Sequence, residues 1–239
     1  MAILSAEKLN TGYNGNVLLR DFDLRIEKPS FVVIAGHNGC GKSTLLKSLA
    51  GNLPFQGTVT LLGKNLKDYS ARSLRKSMAF LSQQNALNFS MPVEELVVMG
   101  SFCHKSFFQN YDQQDYAHAE QILASIGIEH LKNKDFNALS GGEQQLVWIA
   151  QLLMQNTPVV MLDEPTQHLD VYYRKRILDI LYAEVRQKRK TVLFSTHDLL
   201  SLRNYDGILL SLSNGRGVTE ALCEEKLNEV VADLEQRRL

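Results

Sequence analysis

The chain has 239 residues, 44% of them hydrophobic, and its 26 basic and 26 acidic side chains give a formal net charge of zero. This length and composition fit one large domain with a sizeable core. The balanced charge predicts no nucleic acid partner and no direct attraction to an anionic membrane surface.

Cysteine spacing and hydropathy indicate the compartment. Cys40, Cys103 and Cys223 are widely spaced and form no C-x-x-C pair, which favours free thiols in a reducing compartment over disulfides or a metal site. The N-terminus lacks a basic segment followed by an apolar one, and no apolar run approaches the roughly 18 residues of a membrane span. We therefore expect a soluble, cytoplasmic protein that serves a membrane only through a partner.

The first part of the chain predicts short strands and turns. Residues 18–26 alternate in part and follow a turn signal at Asn14-Gly15, which predicts a small antiparallel sheet ahead of the apolar strand at residues 31–35. The elements predicted next are a helix at residues 45–50, a strand at 58–62, a short helix at 70–76 and a strand at 78–81.

The hydrophobic pattern changes in the middle of the chain. Residues 85–156 show little alternation with period two, which predicts a mostly helical insertion. The helices predicted there cover residues 93–99 and 115–126. The elements predicted after Pro158 are buried strands at 159–162, 191–195 and 207–212, a helix at 174–187, a turn at 213–217 and a terminal helix with a basic end at 222–239. We interpret residues 1–239 as a single domain, with an α/β core at 1–84 and 157–239 and a helical subdomain at 85–156.

A glycine-rich segment lies between the strand at residues 31–35 and the helix that follows it. It reads Gly36-His37-Asn38-Gly39-Cys40-Gly41-Lys42-Ser43-Thr44. The spacing G-x-x-x-x-G-K-[ST] between a strand and a helix is that of a phosphate-binding P-loop. Glycines let backbone N–H groups face an anion, and the helix that begins near Lys42 adds the positive end of its dipole. We expect Lys42 to reach the β- and γ-phosphates and the Ser43 hydroxyl to ligate Mg²⁺.

The apolar strand at residues 159–162 ends in Asp163-Glu164-Pro165. A carboxylate at the end of a buried strand suits the second Mg²⁺ contact of a P-loop site, and Glu164 can then orient or deprotonate an attacking water. Acidic pairs also occur at strand ends as solvated turns or helix caps. The P-loop elsewhere in the chain is what favours the catalytic interpretation.

A third segment, Leu139-Ser140-Gly141-Gly142-Glu143-Gln144-Gln145, precedes an amphipathic run. Ser140 and Glu143 have the spacing of a capping box, which by itself predicts only a helix start. The two glycines leave the N–H groups of that start uncovered, so they can face an anion. The segment is therefore a candidate for a second phosphate contact.

The P-loop, the Leu139–Gln145 segment and Asp163-Glu164-Pro165, in this order, resemble the ATP-binding subunit of ABC transporters over roughly residues 3–220. The resemblance implies a P-loop NTPase of the ABC ATPase type. That fold is α/β, a mixed β core with an N-terminal antiparallel β subdomain and an inserted helical subdomain. It also implies a head-to-tail homodimer with two ATP molecules, each held between the P-loop of one copy and Ser140, Gly141 and Gly142 of the other.

The resemblance assigns roles to single residues by their position. Gln83 would contact Mg²⁺ or water and link to the helical subdomain, with Gln84 as the alternative register. Tyr13 would stack on adenine, although a turn tyrosine packed on the small sheet is the alternative. His197 would contact the γ-phosphate, and Asp170 would cross the dimer interface.

The implied site has three sets of residues. The ATP-binding set comprises Tyr13, Gly36, Asn38, Gly39, Gly41, Lys42, Ser43, Thr44, Ser140, Gly141, Gly142 and Asp170. The catalytic set comprises Gln83, Glu164 and His197, and the Mg²⁺ ligands are Ser43, Gln83 and Asp163.

Four residues depart from the usual pattern of the family, and one of them is Ser30, which stands where a glycine is usual before the P-loop strand. Leu146 and Gln151 stand where arginines are usual, which puts local salt bridges in doubt. Cys40 stands where another small residue is usual, and its place in the P-loop predicts that thiol reagents inhibit ATP hydrolysis.

Residues 71–75, 91–100 and 164–170 resemble importers of iron chelates, haem and cobalamin, and zinc and manganese importers share part of this pattern. We therefore expect an ATPase on the inner face of the cell membrane that works with integral membrane permease subunits and an extracytoplasmic substrate-binding protein. Residues 85–110 would receive the permease. The apolar residues there belong either to that groove or to the subdomain core: Phe89, Met91, Phe102, Phe107 and Phe108.

Two other classes of function remain open from the sequence. A soluble ABC ATPase of iron–sulfur cluster assembly would have the same motifs but no permease. A small-molecule kinase would use the P-loop alone, and it would leave the Leu139–Gln145 segment without a role.

Overall fold

The structure is a computed structural model that describes residues 1–13, 16–106, 109–213 and 215–236. Some features predicted from the sequence lie outside the described residues: the turn at Asn14-Gly15, the side chains of Phe107 and Phe108, part of the turn at Asn214, and the basic end at residues 237–239.

The strands are, in chain order, β1 (Leu4–Tyr13), β2 (Asn16–Ile26), β3 (Phe31–Gly36), β4 (Phe55–Leu61), β5 (Lys64–Asn65), β6 (Met78–Leu81), β7 (Val159–Leu162), β8 (Thr191–Ser195), β9 (Gly207–Ser213) and β10 (Arg216–Leu222). The α-helices are α1 (Lys42–Leu49), α2 (Ala71–Ser77), α3 (Val93–Val98), α4 (Gln113–Ser125), α5 (Gly141–Met154), α6 (Val171–Arg186) and α7 (Glu224–Gln236).

The predicted antiparallel sheet near the N-terminus is confirmed. It has four strands in the order β2-β1-β4-β5, and β1 pairs antiparallel with both β2 and β4. Apolar residues on one face of β1 and β2 are buried, as period-two alternation requires, among them Leu4, Leu9, Phe22 and Leu24.

The second sheet has six strands in the order β10-β9-β3-β8-β7-β6. Strands β6 to β9 and β3 run parallel, so the carboxyl ends of β3, β6, β7 and β8 lie at one edge. Every residue of β3, β7 and β8 is buried, which explains their continuous apolar runs. Ligands of open α/β sheets bind at this carboxyl edge.

The sheet separates two parts of the core. Phe31, Val33 and Ala35 of β3 pack with apolar residues of α3 to α6. Val32 and Ile34 of the same strand pack on the other face, with β1, β2 and α1. The antiparallel sheet and the helices are therefore joined through β3, the strand that leads into the P-loop.

The chain between β6 and β7 is helical, as predicted. It contains α3, α4 and α5, with 3₁₀ turns at Met99–His104, Glu129–Leu131 and Phe136–Ala138. Leu146, which stands where an arginine is usual, is fully buried in this helical core. Leu146 packs there among other apolar side chains.

Two boundaries near the C-terminus were wrong. Residues 213–217 were predicted as a turn after the strand at 207–212, yet Arg216 and Gly217 begin β10, which pairs antiparallel with β9. The terminal helix starts at Glu224, not at Leu222, because Leu222 is the last residue of β10. This edge strand is mostly exposed, so it lacks the apolar alternation that would have predicted it. Among the described residues, no helix is long and apolar enough to cross a membrane.

Candidate nucleotide-binding site

The P-loop joins β3 to α1 in a turn that requires glycine. At Gly36 a Cβ would lie 2.5 Å from Cys40 Sγ and 2.6 Å from the Leu212 carbonyl oxygen, too close for any side chain. Gly41 has φ 106°, a left-handed conformation, and precedes α1 without a side-chain cap. The first N–H groups of α1 therefore have no side chain of Gly41 in front of them and can bind a phosphate oxygen.

Lys42 is only 5% exposed, and its ammonium is held inside the loop. Its Nζ donates to the carbonyl oxygens of Gly36 at 2.9 Å and His37 at 3.1 Å. Burial lowers the pKa of Lys42, and the nearby carboxylates of Glu164 and Asp163 oppose that shift. Within the described residues no carboxylate forms an ion pair with this ammonium, so the site has an unpaired positive charge that suits a polyphosphate.

The P-loop opens onto a cavity of about 350 Å³. Most of the predicted P-loop residues and all three of the predicted catalytic residues border it, together with two that were not predicted. The lining residues are Leu18, Asn38, Gly39, Gly41, Lys42, Ser43, Thr44, Gln83, Glu164, Gln167 and His197.

The fold brings together two oxygen ligands 120 residues apart in sequence. Ser43 Oγ donates to Asp163 Oδ1 at 3.0 Å, and Ser195 Oγ donates to the same oxygen at 2.7 Å. Asp163 is 3% exposed at the carboxyl end of β7. In the described part of the chain no three His, Cys, Asp or Glu side chains cluster as for a metal. One carboxylate and one hydroxyl nevertheless fit Mg²⁺, which usually takes few protein ligands and completes its shell with phosphate and water.

Glu164 is fixed by three contacts at the cavity wall. Its backbone is left-handed, with φ 50°, and its N–H donates to Ser195 Oγ at 2.9 Å. One carboxylate oxygen pairs with His197 Nε2, and the other accepts a hydrogen bond from Gln83 Nε2 at 3.3 Å. Residues in such sparsely populated conformations often cluster at active sites, where the surrounding structure holds them. Gln83, and not the alternative Gln84, is the glutamine that reaches this group.

The predicted adenine contact, Tyr13, lies away from this cavity. Tyr13 is 42% exposed and is absent from the lining, whereas Leu18 of β2 is part of it. Stacking of Tyr13 on adenine therefore stays a prediction. Leu18 went unnoticed because its strand pattern predicts a sheet residue, not a ligand contact.

The second candidate phosphate contact is a well-formed helix start on the surface. Ser140 caps α5 and shares a capping box with Glu143, whose pKa the Ser140 side chain and N–H lower. A Cβ placed on Gly141 would meet no atom within 4 Å, whereas one on Gly142 would collide with the ring of Tyr173. None of these residues borders the cavity of the same chain.

Asp170 also lies outside the cavity. It caps α6, since its Oδ1 accepts a hydrogen bond from the Tyr173 N–H at 2.9 Å. This contact gives Asp170 a role within its own chain, which is compatible with the predicted role across a dimer interface but does not require it.

The predicted thiol sensitivity of Cys40 finds no support in the structure. Cys40 is buried, and burial raises the pKa of its thiol, so the reactive thiolate is disfavoured. Being part of the P-loop does not make this side chain accessible, because it lies beneath the loop against Gly36.

A family model described as ABC transporter matches residues 19–167, which include the P-loop, the start of α5 and the end of β7. The chain belongs to the ABC transporter family. As an ATP-binding subunit of that family, it binds and hydrolyses ATP.

The sequence similarity to individual relatives extends over nearly the whole of this ABC ATPase. The achromobactin transport ATP-binding protein CbrD of Dickeya dadantii is 34% identical, over 99% of this chain and 90% of that protein. The iron(3+)-hydroxamate import ATP-binding protein FhuC of Bacillus subtilis is also 34% identical, over 94% of this chain and 84% of the relative.

A solved structure has the same fold. The ATP-binding cassette MJ0796, a dimer in a post-hydrolysis state bound to ADP and Pi, superposes with a TM-score of 0.78 at 27% identity. The match covers 92% of this chain and 98% of that one. The relatives act as parts of membrane transporters, and ATPases of this family work as dimers with membrane permeases.

Proposed function

We propose that this ABC ATPase powers the import of an iron chelate through separate membrane permease subunits, on the inner face of the cell membrane. The observation that carries the proposal is the half-site around the cavity, in which the P-loop, Asp163, Glu164 and His197 converge. The substrate class is supported by the names of the two relatives, which concern achromobactin and iron(3+)-hydroxamates. An extracytoplasmic substrate-binding protein would deliver the chelate to the permease.

ATP binding begins at the P-loop. Lys42 and the N–H groups at the start of α1 bind the β- and γ-phosphates, and Asn38, Gly39 and Thr44 line the same cavity. Ser43, Asp163 and Gln83 hold Mg²⁺, which when bound neutralises charge that develops on the phosphates.

Hydrolysis needs a group that accepts a proton from water. Glu164 fits because it lies at the cavity wall, fixed by Ser195, and its carboxylate is paired with His197. His197 orients that carboxylate and, in this proposal, contacts the γ-phosphate. Both side chains line the cavity, so a water between them and the phosphate would be held close to the base.

A second copy of the chain completes the site. The start of α5 at Ser140, Gly141 and Gly142 is proposed to bind the γ-phosphate held by the partner's P-loop, and Asp170 to lie at the interface between the copies. The open space at Gly141 supports this, because a phosphate can approach the backbone there without displacing protein atoms. Closure and reopening of the dimer would drive the permease.

The proposed permease contact lies on the helical subdomain, residues 85–156. Phe89 and Phe102 are 56% and 58% exposed, and Met99 is exposed between them in sequence. Met91 instead packs partly against the core, in line with the alternative for that residue. Exposed large apolar side chains on one subdomain support a protein contact there.

The decisive experiment is co-expression of the tagged ATPase with the permease genes adjacent to its own gene, followed by purification from membranes. Iron-chelate uptake into proteoliposomes that requires both ATP inside and the binding protein outside would establish the proposal. Uptake of zinc or manganese instead would show that the substrate is a metal ion and not an iron chelate. Purification with soluble assembly proteins and no permease would replace transport by iron–sulfur cluster assembly.

A further inference from the structure

Gln167 lines the cavity but is not among the predicted site residues. It lies on the turn after β7, three residues beyond Glu164, and its N–H donates to the Glu164 carbonyl oxygen at 3.2 Å. Its side chain accepts a hydrogen bond from Gln83 Nε2 at 2.7 Å. The two glutamines are 84 residues apart in sequence, so the contact joins the loop after β6 to the loop after β7.

Together with the carboxylate of Glu164, which can only accept, this contact leaves the carbonyl end of the Gln83 amide free. An amide NH₂ group donates two hydrogen bonds, and Gln83 Nε2 donates them to Gln167 Oε1 and to Glu164 Oε2. The carbonyl oxygen of Gln83 is thereby left free to ligate a cation or to accept a hydrogen bond from a water. With the amide turned the other way, a positively polarised NH₂ would meet Mg²⁺ instead.

Gln167 makes the better of the two contacts to this NH₂ group. The bond to Gln167 is 2.7 Å long, while that to Glu164 is 3.3 Å, beyond the usual N–H···O distance. Glu164 also pairs with His197, and it must be free to take a proton during hydrolysis. Terminal amide torsions are broad, so a single long contact would not fix the amide.

We propose that Gln167 is a positioning residue that acts through Gln83, holding the Gln83 amide oxygen toward Mg²⁺ or the attacking water. This inference rests on the proposed role of Gln83 as a ligand of Mg²⁺ or water. It adds a residue that was not among the predicted site residues, and it gives the loop after β7 direct control over the glutamine that leads into the helical subdomain.

The test uses the full-length chain with Gln167→Met, which keeps the length of the side chain and removes the amide acceptor. We expect kcat for ATP hydrolysis to fall about fivefold to tenfold, the effect of one lost hydrogen bond, with the KM for ATP changed by less than about twofold. The second readout is independent of turnover. The affinity of the AMP-PNP complex for Mn²⁺, measured by electron paramagnetic resonance, falls by a similar factor.

Three further variants separate positioning from general damage. Gln167→Glu keeps an acceptor for the Gln83 NH₂ group, so at saturating ATP it restores kcat and Mn²⁺ affinity. Gln84→Met, in the neighbouring residue whose side chain is exposed and outside the cavity, leaves both unchanged. In a Gln83→Ala background, Gln167→Met has no additional effect, because the group it positions is gone.

The outcomes distinguish this inference from the proposed site itself. If Gln83→Ala leaves kcat and Mn²⁺ affinity at the wild-type level, the proposed role of Gln83 fails and Gln167 has nothing to position. If Gln83→Ala lowers both while Gln167→Met lowers neither, the positioning role is overturned and the site stands. Equal losses from Gln167→Met with and without Gln83 would overturn it as well.

Discussion

Two helix starts in this ABC ATPase follow glycine-containing loops, and their surroundings differ. The start of α1 is enclosed by its own chain: Lys42 and Thr44 are buried, Glu164 and His197 line the same cavity, and Asp163 is hydrogen-bonded to Ser43 in its lining. The start of α5 is capped but open, with no atom within 4 Å of a Cβ placed on Gly141. In the proposed function, the first binds the phosphates of ATP within one chain, and the second contacts the γ-phosphate held by another copy.

The largest loss of activity should come from Glu164→Gln, a change in the enclosed site around the start of α1. The rate of ATP hydrolysis should fall about a hundredfold or more, because glutamine has the size of glutamate but cannot act as a general base. ATP binding should persist, and the protein should accumulate as a dimer when ATP is added. Steady-state hydrolysis and size-exclusion chromatography measure the two effects. Near-normal turnover would remove Glu164 from the role of base, and Glu7→Gln, an exposed carboxylate on β1, serves as the control.

Lys42→Met should weaken ATP binding by the single chain. Loss of a charge-assisted contact lowers affinity about tenfold to a hundredfold. A fluorescent ATP analogue, titrated at protein concentrations too low for dimers, gives the affinity directly. Lys47→Met, in the last turn of the same helix, should bind normally. Equal losses in both variants would mean that general charge, and not the P-loop ammonium, binds the nucleotide.

The open helix start can be probed with a thiol. In a Cys223→Ser and Glu164→Gln chain, Gly141→Cys should react rapidly with maleimide, because the space around Gly141 is open. When ATP makes most of the protein dimeric, the rate should fall about tenfold, and the protection should grow with protein concentration. Protection that is independent of concentration would mean that the same chain, and not a second copy, covers this helix start.

The neighbouring glycine should behave differently from Gly141. Gly142→Ala places a methyl group against the ring of Tyr173 and should destabilise the fold by about 1–3 kcal/mol. Gly141→Ala has open space and should leave stability unchanged or slightly higher. Urea unfolding followed by fluorescence of Trp148, the one tryptophan of the chain, measures both. Equal stability of the two variants would contradict the packing of α5 on α6.

The sequence predicts a site residue when its role depends on neighbouring residues in the chain, and fails when the role depends on where the fold places it. The P-loop and Asp163-Glu164 were predictable, because their spacing and the adjoining apolar strands define the local chemistry. Leu18 and Gln167 were not, because they border the cavity only after β2 and the loop after β7 are placed by the fold.

The same limit applies to the fold. The buried strands β3, β7 and β8 were found from their apolar runs, since both faces of each are covered. Strand β10 was missed, because it lies at the edge of the sheet and pairs through its backbone with β9. Backbone pairing of an exposed strand leaves little periodicity in the side chains.

The smallest expected effect is that of thiol modification on ATP hydrolysis. It tests whether the P-loop around Cys40 is as enclosed as the start of α5 is open. Cys40 is buried beneath the P-loop with a raised pKa, whereas Cys223 is exposed. Maleimide should therefore modify Cys223 first and leave ATP hydrolysis unchanged, which peptide mass spectrometry and an activity assay on the same sample can show. Modification of Cys40 should be slow, because the thiolate is disfavoured and the loop must open to expose it. Rapid inactivation that follows Cys40 labelling and is prevented by ATP would show instead that the loop opens readily in the nucleotide-free chain, and that the closed site forms only when phosphate fills it.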